Sequence, residues 1–103
     1  MTKDKLQQLK NAYGEIYEMS SGGVTIYCKQ VSRGAFKRAF TLISSEKTRF
    51  DGLEALLIDS VVWPDKVEMN EILEKRPGLI VPFGNKIAEL AGLQEELSFR
   101  PIE

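Results

Sequence analysis

Four groups of residues in this chain have the types or spacing that chemistry requires. Glu71 and Glu74 stand three apart, so on a helix both carboxylates fall on one face, the arrangement an acid/base pair or a metal site would use. Ser20-Ser21-Gly22-Gly23 has the composition of a loop that cradles phosphate. Cys28 is the single cysteine and the one candidate thiol nucleophile. Arg33, Lys37 and Arg38, followed by Lys47 and Arg49, form a basic set able to neutralise phosphates.

None of the four develops into a site. The chain has no histidine, which removes the commonest general base, the commonest transition-metal ligand and the usual partner of a Ser or Cys nucleophile. Without such partners the two glutamates read as a solvated acidic helix. The serine-glycine stretch leads into a strand rather than a helix, and no Gly-Lys-Ser/Thr follows, so it reads as a turn. Cys28 falls on the apolar face of its strand and reads as a small core residue; alone it makes no internal disulfide, which fits a reducing compartment. Catalysis, a bound metal and a cofactor are therefore not expected.

Charge is unevenly distributed. Residues 29–49 hold Lys29, Arg33, Lys37, Arg38, Lys47 and Arg49 against Glu46, a net +5, whereas residues 50–74 hold Asp51, Glu54, Asp59, Asp65, Glu68, Glu71 and Glu74 against Lys66, a net −6. The two segments should attract. A helix-turn-helix over 33–63 would give a DNA-binding regulator, but its second helix presents Asp51, Glu54 and Asp59 where base-reading and phosphate-neutralising side chains are needed. Nucleic acid is thus the alternative partner, not the expected one.

The elements that position these residues follow from periodicity. At 103 residues, 43% hydrophobic and 28% charged, the chain fits one globular domain of residues 1–103, with no apolar run able to span a bilayer and no secretory leader. Leu6, Leu9 and Tyr13 predict a short N-terminal helix that frays unless docked. Glu15–Met19, a four-residue SSGG turn and VTIYCKQV predict a hairpin with Val24, Ile26 and Cys28 inward and Thr25, Tyr27 and Lys29 wet. Ser32 is placed to cap a helix with Phe36, Ala39, Phe40 and Ile43 inward, and Asp65 to cap one with Met69, Ile72 and Leu73. A last helix from about Leu79 to Ala91 turns Ile80, Phe83, Ile87, Leu90 and Ala91 inward, with Gly92 at the left-handed position beyond it. Leu97-Ser98-Phe99 is β-like, and residues 1–13 and 93–103 are expected to be mobile ends.

Between the capped helices lies Phe50–Trp63, FDGLEALLIDSVVW, predicted to be helical from near Lys47 to Trp63, where Pro64 ends it. Its apolar residues exceed the stripe of a surface helix. Leu53, Leu57 and Val61 are expected in the core, whereas Leu56, Val62 and Trp63 on its flanks, with Phe83, are the expected partner-binding residues. The fold class is α+β, a hairpin packed on three to four helices, whose hairpin edge or helices offer a route to self-association.

The order of three stretches, GGVTIYCKQVSRGAF, FDGLEALLIDSVVWPD and NEILEKRPGLIVPFGNKIAELAG, resembles the small tail assembly chaperones of long-tailed bacteriophages and prophages over residues 15–92. The resemblance lies in a strand entering a Ser-capped helix, a Leu-Leu-x-x-x-Val-Val helix ending near Pro, and a last helix closing in Leu-Ala-Gly. It implies a non-enzymatic protein of the host bacterial cytoplasm that binds the tape-measure protein and keeps its apolar helical segments soluble during tail morphogenesis. A longer frameshifted form is common in that family. A structural tail or head–tail joining protein retained in the virion is the further alternative.

Overall fold

The computed structural model describes residues 1–93, 97–98 and 100–102. Helix α1, Lys3–Tyr13, starts where Thr2 accepts a hydrogen bond from the Lys5 amide and stops at Gly14, whose φ of 82° is open to glycine. It docks on the hairpin: Leu9 is buried, α1 contacts β1, and the Lys29 ammonium lies 5.3 Å from the Tyr13 ring centroid. Strands β1 (Ile16–Ser21) and β2 (Val24–Lys29) pair in antiparallel register from Ile16↔Lys29 to Ser21↔Val24. The turn is therefore two residues, not four. Gly22 and Gly23 both take positive φ, the geometry whose twist matches that of the strands it joins.

The sheet has a third strand where helix was expected. Helix α3 spans Arg49–Ser60, and Val61–Trp63 forms β3, antiparallel to β2 with Cys28↔Val61 and Tyr27↔Trp63 paired across a bulge. Two local preferences act together here. Val61 and Val62 are β-branched, and Pro64 pushes Trp63 out of helical geometry. The unpaired edge of β2 then supplies hydrogen bonds that the helix end could not. The strand also covers Tyr27, expected on the wet face but only 8% exposed, through an edge-on ring contact with Trp63 at 5.7 Å between centroids.

Helices α2 (Arg33–Ile43), α4 (Lys66–Lys75) and α5 (Ile80–Leu90) complete the domain, a 3-10 turn at Pro77–Leu79 leading into α5. The Ser32 and Asp65 side chains accept from the Ala35 and Glu68 amides, as expected of caps. Gly92 is left-handed with φ of 94°, and the Leu93 amide donates to Ala88 O, closing α5. Leu97 and Ser98 carry no secondary structure, and the remaining residue of that β-like expectation, Phe99, lies outside the described residues.

Helix α3 is held between α2 and α5, and glycine sets both approaches. A Cβ on Gly52 would stand 2.6 Å from Ile43 Cγ1 and 2.8 Å from Ala39 O; one on Gly84 would stand 2.7 Å from Leu53 Cβ and 2.9 Å from Leu53 O. Leu53, Leu56, Leu57 and Val61 are consequently buried in one core with Ile26, Cys28, Met69 and Phe83. The helix faces differ at their margins from the periodic reading. Ala35 is buried while Phe40 is exposed and stacked on Phe36, and Gly84 and Ala88 are buried while Leu90 and Ala91 are exposed. Gly84 is buried because it faces α3 at Leu53, where there is no room for a Cβ.

Alanine in a helix is ordinarily better than glycine by about 1 kcal/mol. Gly52→Ala and Gly84→Ala should nonetheless each lose about 1–3 kcal/mol in urea unfolding, because overpacking against backbone atoms is not relieved by a rotamer change. Gly34→Ala is the control. Its Cβ would meet nothing nearer than Arg38 Nη1 at 3.6 Å, and it should be neutral or stabilising.

Candidate functional site: an apolar cleft at the open sheet edge

The four residues expected to bind a partner do not converge. Leu56 is completely buried and Phe83 is 2% exposed, so neither offers free surface. Leu56 is covered because α3 has neighbours on two sides, and Phe83 because α5 turns it into the common core. Val62 and Trp63 are half-buried, but on β3, where Trp63 packs against Tyr27. Of the four, Phe83 forms part of the wall of a cleft.

That cleft runs between β1 and α5 and encloses about 450 Å³. One wall is the strand from Tyr17 to Ser21; the other is the α5 face bearing Pro82, Phe83, Lys86 and Leu90. A narrower extension continues past Tyr17 and Met19 toward Val31, Ile87 and Ala91. Leu90 is 42% exposed at the junction of the two. Apolar surface open in this way binds by being covered, at about 25 cal/mol per Å² removed from water. At the rim, Lys86 pairs with Glu89 at 3.4 Å, both more than half exposed. The Tyr17 phenol is held above its ordinary range by desolvation first and by neighbouring Glu15 second.

The other residues considered for chemistry are dispersed. Glu71 and Glu74 are both exposed on α4, and among the described residues no three His, Cys, Asp or Glu side chains group as metal ligands. The hairpin tip is a structural anchor, with Arg76 Nη1 donating to Gly22 O at 2.6 Å. Among the described residues no ion pair within 4 Å joins the basic segment to the acidic one. Asp59 instead shares a polar cavity of about 310 Å³ with Lys29, Arg38 and Lys66. Arg49 is directed to backbone, donating from Nε to Ile43 O at 3.1 Å beside Thr48 Oγ1, which donates to Leu42 O at 2.6 Å. These bonds satisfy carbonyls at the end of α2. Helix α3, the recognition helix of a helix-turn-helix reading, has α2 and α5 against it.

A family model described as a domain of unknown function, DUF6848, matches residues 9–100. The structure of the uncharacterised protein rbstp2171 from Bacillus stearothermophilus is similar, with a TM-score of 0.77 at 20% identity, over 92% of this chain and 99% of that one. At that identity the likeness establishes the fold. Among curated proteins nothing matches. No helix among the described residues is long and apolar enough to cross a membrane.

Cys28, 1% exposed between β1 and β3, has its thiol pushed up to about 12 by burial. An ordinary thiol titrates near 9.0, so between these values the folded chain keeps a proton that the unfolded chain releases, and stability falls as pH rises. The slope attributable to this group is about 1.4 kcal/mol per pH unit within that window. Urea unfolding of the wild type at pH 8 and pH 10 should show the loss, and Cys28→Ala, although less stable at pH 8, should lose markedly less over the same interval.

Proposed function

This chain belongs to the DUF6848 family, and we propose that it is a non-enzymatic holding protein: a phage tail assembly chaperone that keeps a tape-measure protein soluble in the host bacterial cytoplasm. The observation that carries this reading is the cleft between β1 and α5, an apolar wall ending in the exposed Leu90 and rimmed by charge. A holding protein needs such surface, since it must cover apolar side chains of a client without chemistry and release them when tail-tube subunits take its place. The order of hairpin, Ser-capped helix, Leu-rich central element and Leu-Ala-Gly ending, in which the chain resembles tail assembly chaperones, supports the choice of client. The reading requires no cofactor, metal, nucleic acid or membrane.

The proposed contact lies away from the α3 flank. Leu56 is too buried to meet a client, Trp63 is engaged with Tyr27, and Phe83 contributes only to the cleft wall, so the exposed end of α5 supplies most of the contact. Co-expression with a tape-measure fragment should raise the fragment's soluble fraction several-fold. Leu90→Asp should remove most of that gain while shifting the melting temperature by only a few degrees, because Leu90 is already 42% exposed. An unchanged soluble fraction with the wild-type chain would refute the proposal. Nanomolar binding to duplex DNA that weakens steeply with salt would favour the regulator instead.

A further inference from the structure

One wall of the cleft is the unpaired side of a β-strand. β1 ends the sheet order β1-β2-β3, so among the described residues its backbone bonds to β2 on one side only. The turn fixes which groups are left over. In a hairpin with a two-residue loop the flanking pair, here Ser21 and Val24, exchanges both backbone hydrogen bonds, and the pattern alternates from there. Tyr17, Met19 and Ser21 thus bond to β2, and the N–H and C=O groups of Ile16, Glu18 and Ser20 point to the open edge. Those three residues form one face of exposed hydrogen-bonding capacity about five residues long.

We propose that this cleft takes its client in extended conformation, as a fourth strand added to β1, with alternate side chains apolar toward α5 and basic toward Glu18. The inference rests on the reading of the chain as a holding protein and specifies the form of segment held. Tyr17, Met19 and Ser21 share the face of their partners Cys28, Ile26 and Val24, the face that meets the core. A strand laid beside β1 continues that pleat, so every second side chain enters the space walled by Pro82, Phe83 and Leu90. The intervening side chains lie on the face of Glu18. Glu18 is exposed and among the described residues has no salt-bridge partner, so a lysine or arginine opposite it is complementary. Lys86, on the far rim, already has Glu89.

An added strand fits this wall better than the two other occupants it could take. A helix satisfies its own backbone and would cover the outward groups of β1 without bonding to them. A second copy of β1, paired about a twofold axis at Tyr17, Glu18 or Met19, sets the two Glu18 side chains on one face, opposite or diagonal to each other, a juxtaposition of like charges that cross-strand pairing disfavours.

The test uses the full chain and a blocked seven-residue peptide, Lys-Val-Lys-Leu-Lys-Val-Lys, with a counterpart carrying glutamate in place of lysine. By NMR hydrogen exchange the lysine peptide should protect the Ile16, Glu18 and Ser20 amides tenfold or more and leave that of Met19 unchanged. Ser20→Pro removes an outward N–H and no ladder bond, and should weaken binding at least tenfold. Ser20→Ala should bind as the wild type does, and Glu18→Lys should transfer the preference to the glutamate peptide. Binding that leaves the three amides unprotected overturns the proposal, and this arm decides the matter if Ser20→Pro does not fold. Equal affinity for both peptides, or a peptide-free dimer that Ser20→Pro dissolves, also overturns it. Should the peptide add to β1 while co-expression leaves the tape-measure fragment insoluble, strand addition stands and the holding role falls.

Discussion

Burial of α3 from two sides is the constraint on which the rest of this fold depends. A single layer of neighbours would leave Leu53, Leu56 and Leu57 half wet; instead α2 and α5 close on them at distances that only glycine permits, with Gly52 against Ala39 and Ile43 and Gly84 against Leu53. Burying three leucines is worth about 2–3 kcal/mol each relative to exposure, a large share of the net stability of a chain this size. The same helix then passes directly into β3, which adds itself to β2. One continuous stretch of chain thereby fixes both the helical layer and the far edge of the sheet, and α5, held by Gly84, is fixed relative to β1.

What was legible in the sequence was local. Ser32 and Asp65 cap α2 and α4 as expected, and Gly92 takes the left-handed position beyond α5, because these effects need only a few consecutive residues. The α+β class and the burial of Leu53, Leu57 and Val61 were legible for the same reason. The strand at Val61–Trp63 was not, since the apolar residues of Phe50–Trp63 continue a helical pattern and only the waiting edge of β2, more than thirty residues earlier, decides against it. Leu56, expected on a partner-binding flank, is fully buried, because periodicity says that a side chain wants cover but not whether cover arrives. The cleft was illegible for a related reason: it exists only where residues 17–21 and 82–90 meet. Leu90, read as an inward position, is the signal that was available, the last apolar residue of a helix whose following turn ends its neighbours' cover.

Electrostatics does little of the holding. The contrast between the basic and acidic segments suggested a docking force, yet the described residues place Arg49 and Arg76 on backbone carbonyls. Carbonyls at a helix end or a tight turn have fixed positions and lack partners of their own, so a guanidinium gains more from them than from a mobile exposed carboxylate. The sheet and helix termini are secured by those bonds, and the segment charges act at longer range, as in the polar cavity shared by Lys29, Arg38, Lys66 and Asp59.

The two edges of the sheet are treated differently, and that asymmetry bears on use. An open edge invites pairing with other chains, and proteins blunt such edges with short strands, proline, charge or cover. β3 is three residues long and runs into Pro64, so its outer side offers little to pair with. β1 is six residues long, has no proline, carries one charge at Glu18, and is accompanied along its length by a cleft rather than filled in by α5. If α5 existed only to protect that edge it would sit against it, and the apolar atoms of Pro82 and Leu90 would be spent on covering strand backbone. Held by its contact with α3 at Gly84, the helix instead leaves a cleft of about 450 Å³ beside the strand. The close packing that makes the core therefore also keeps the edge open.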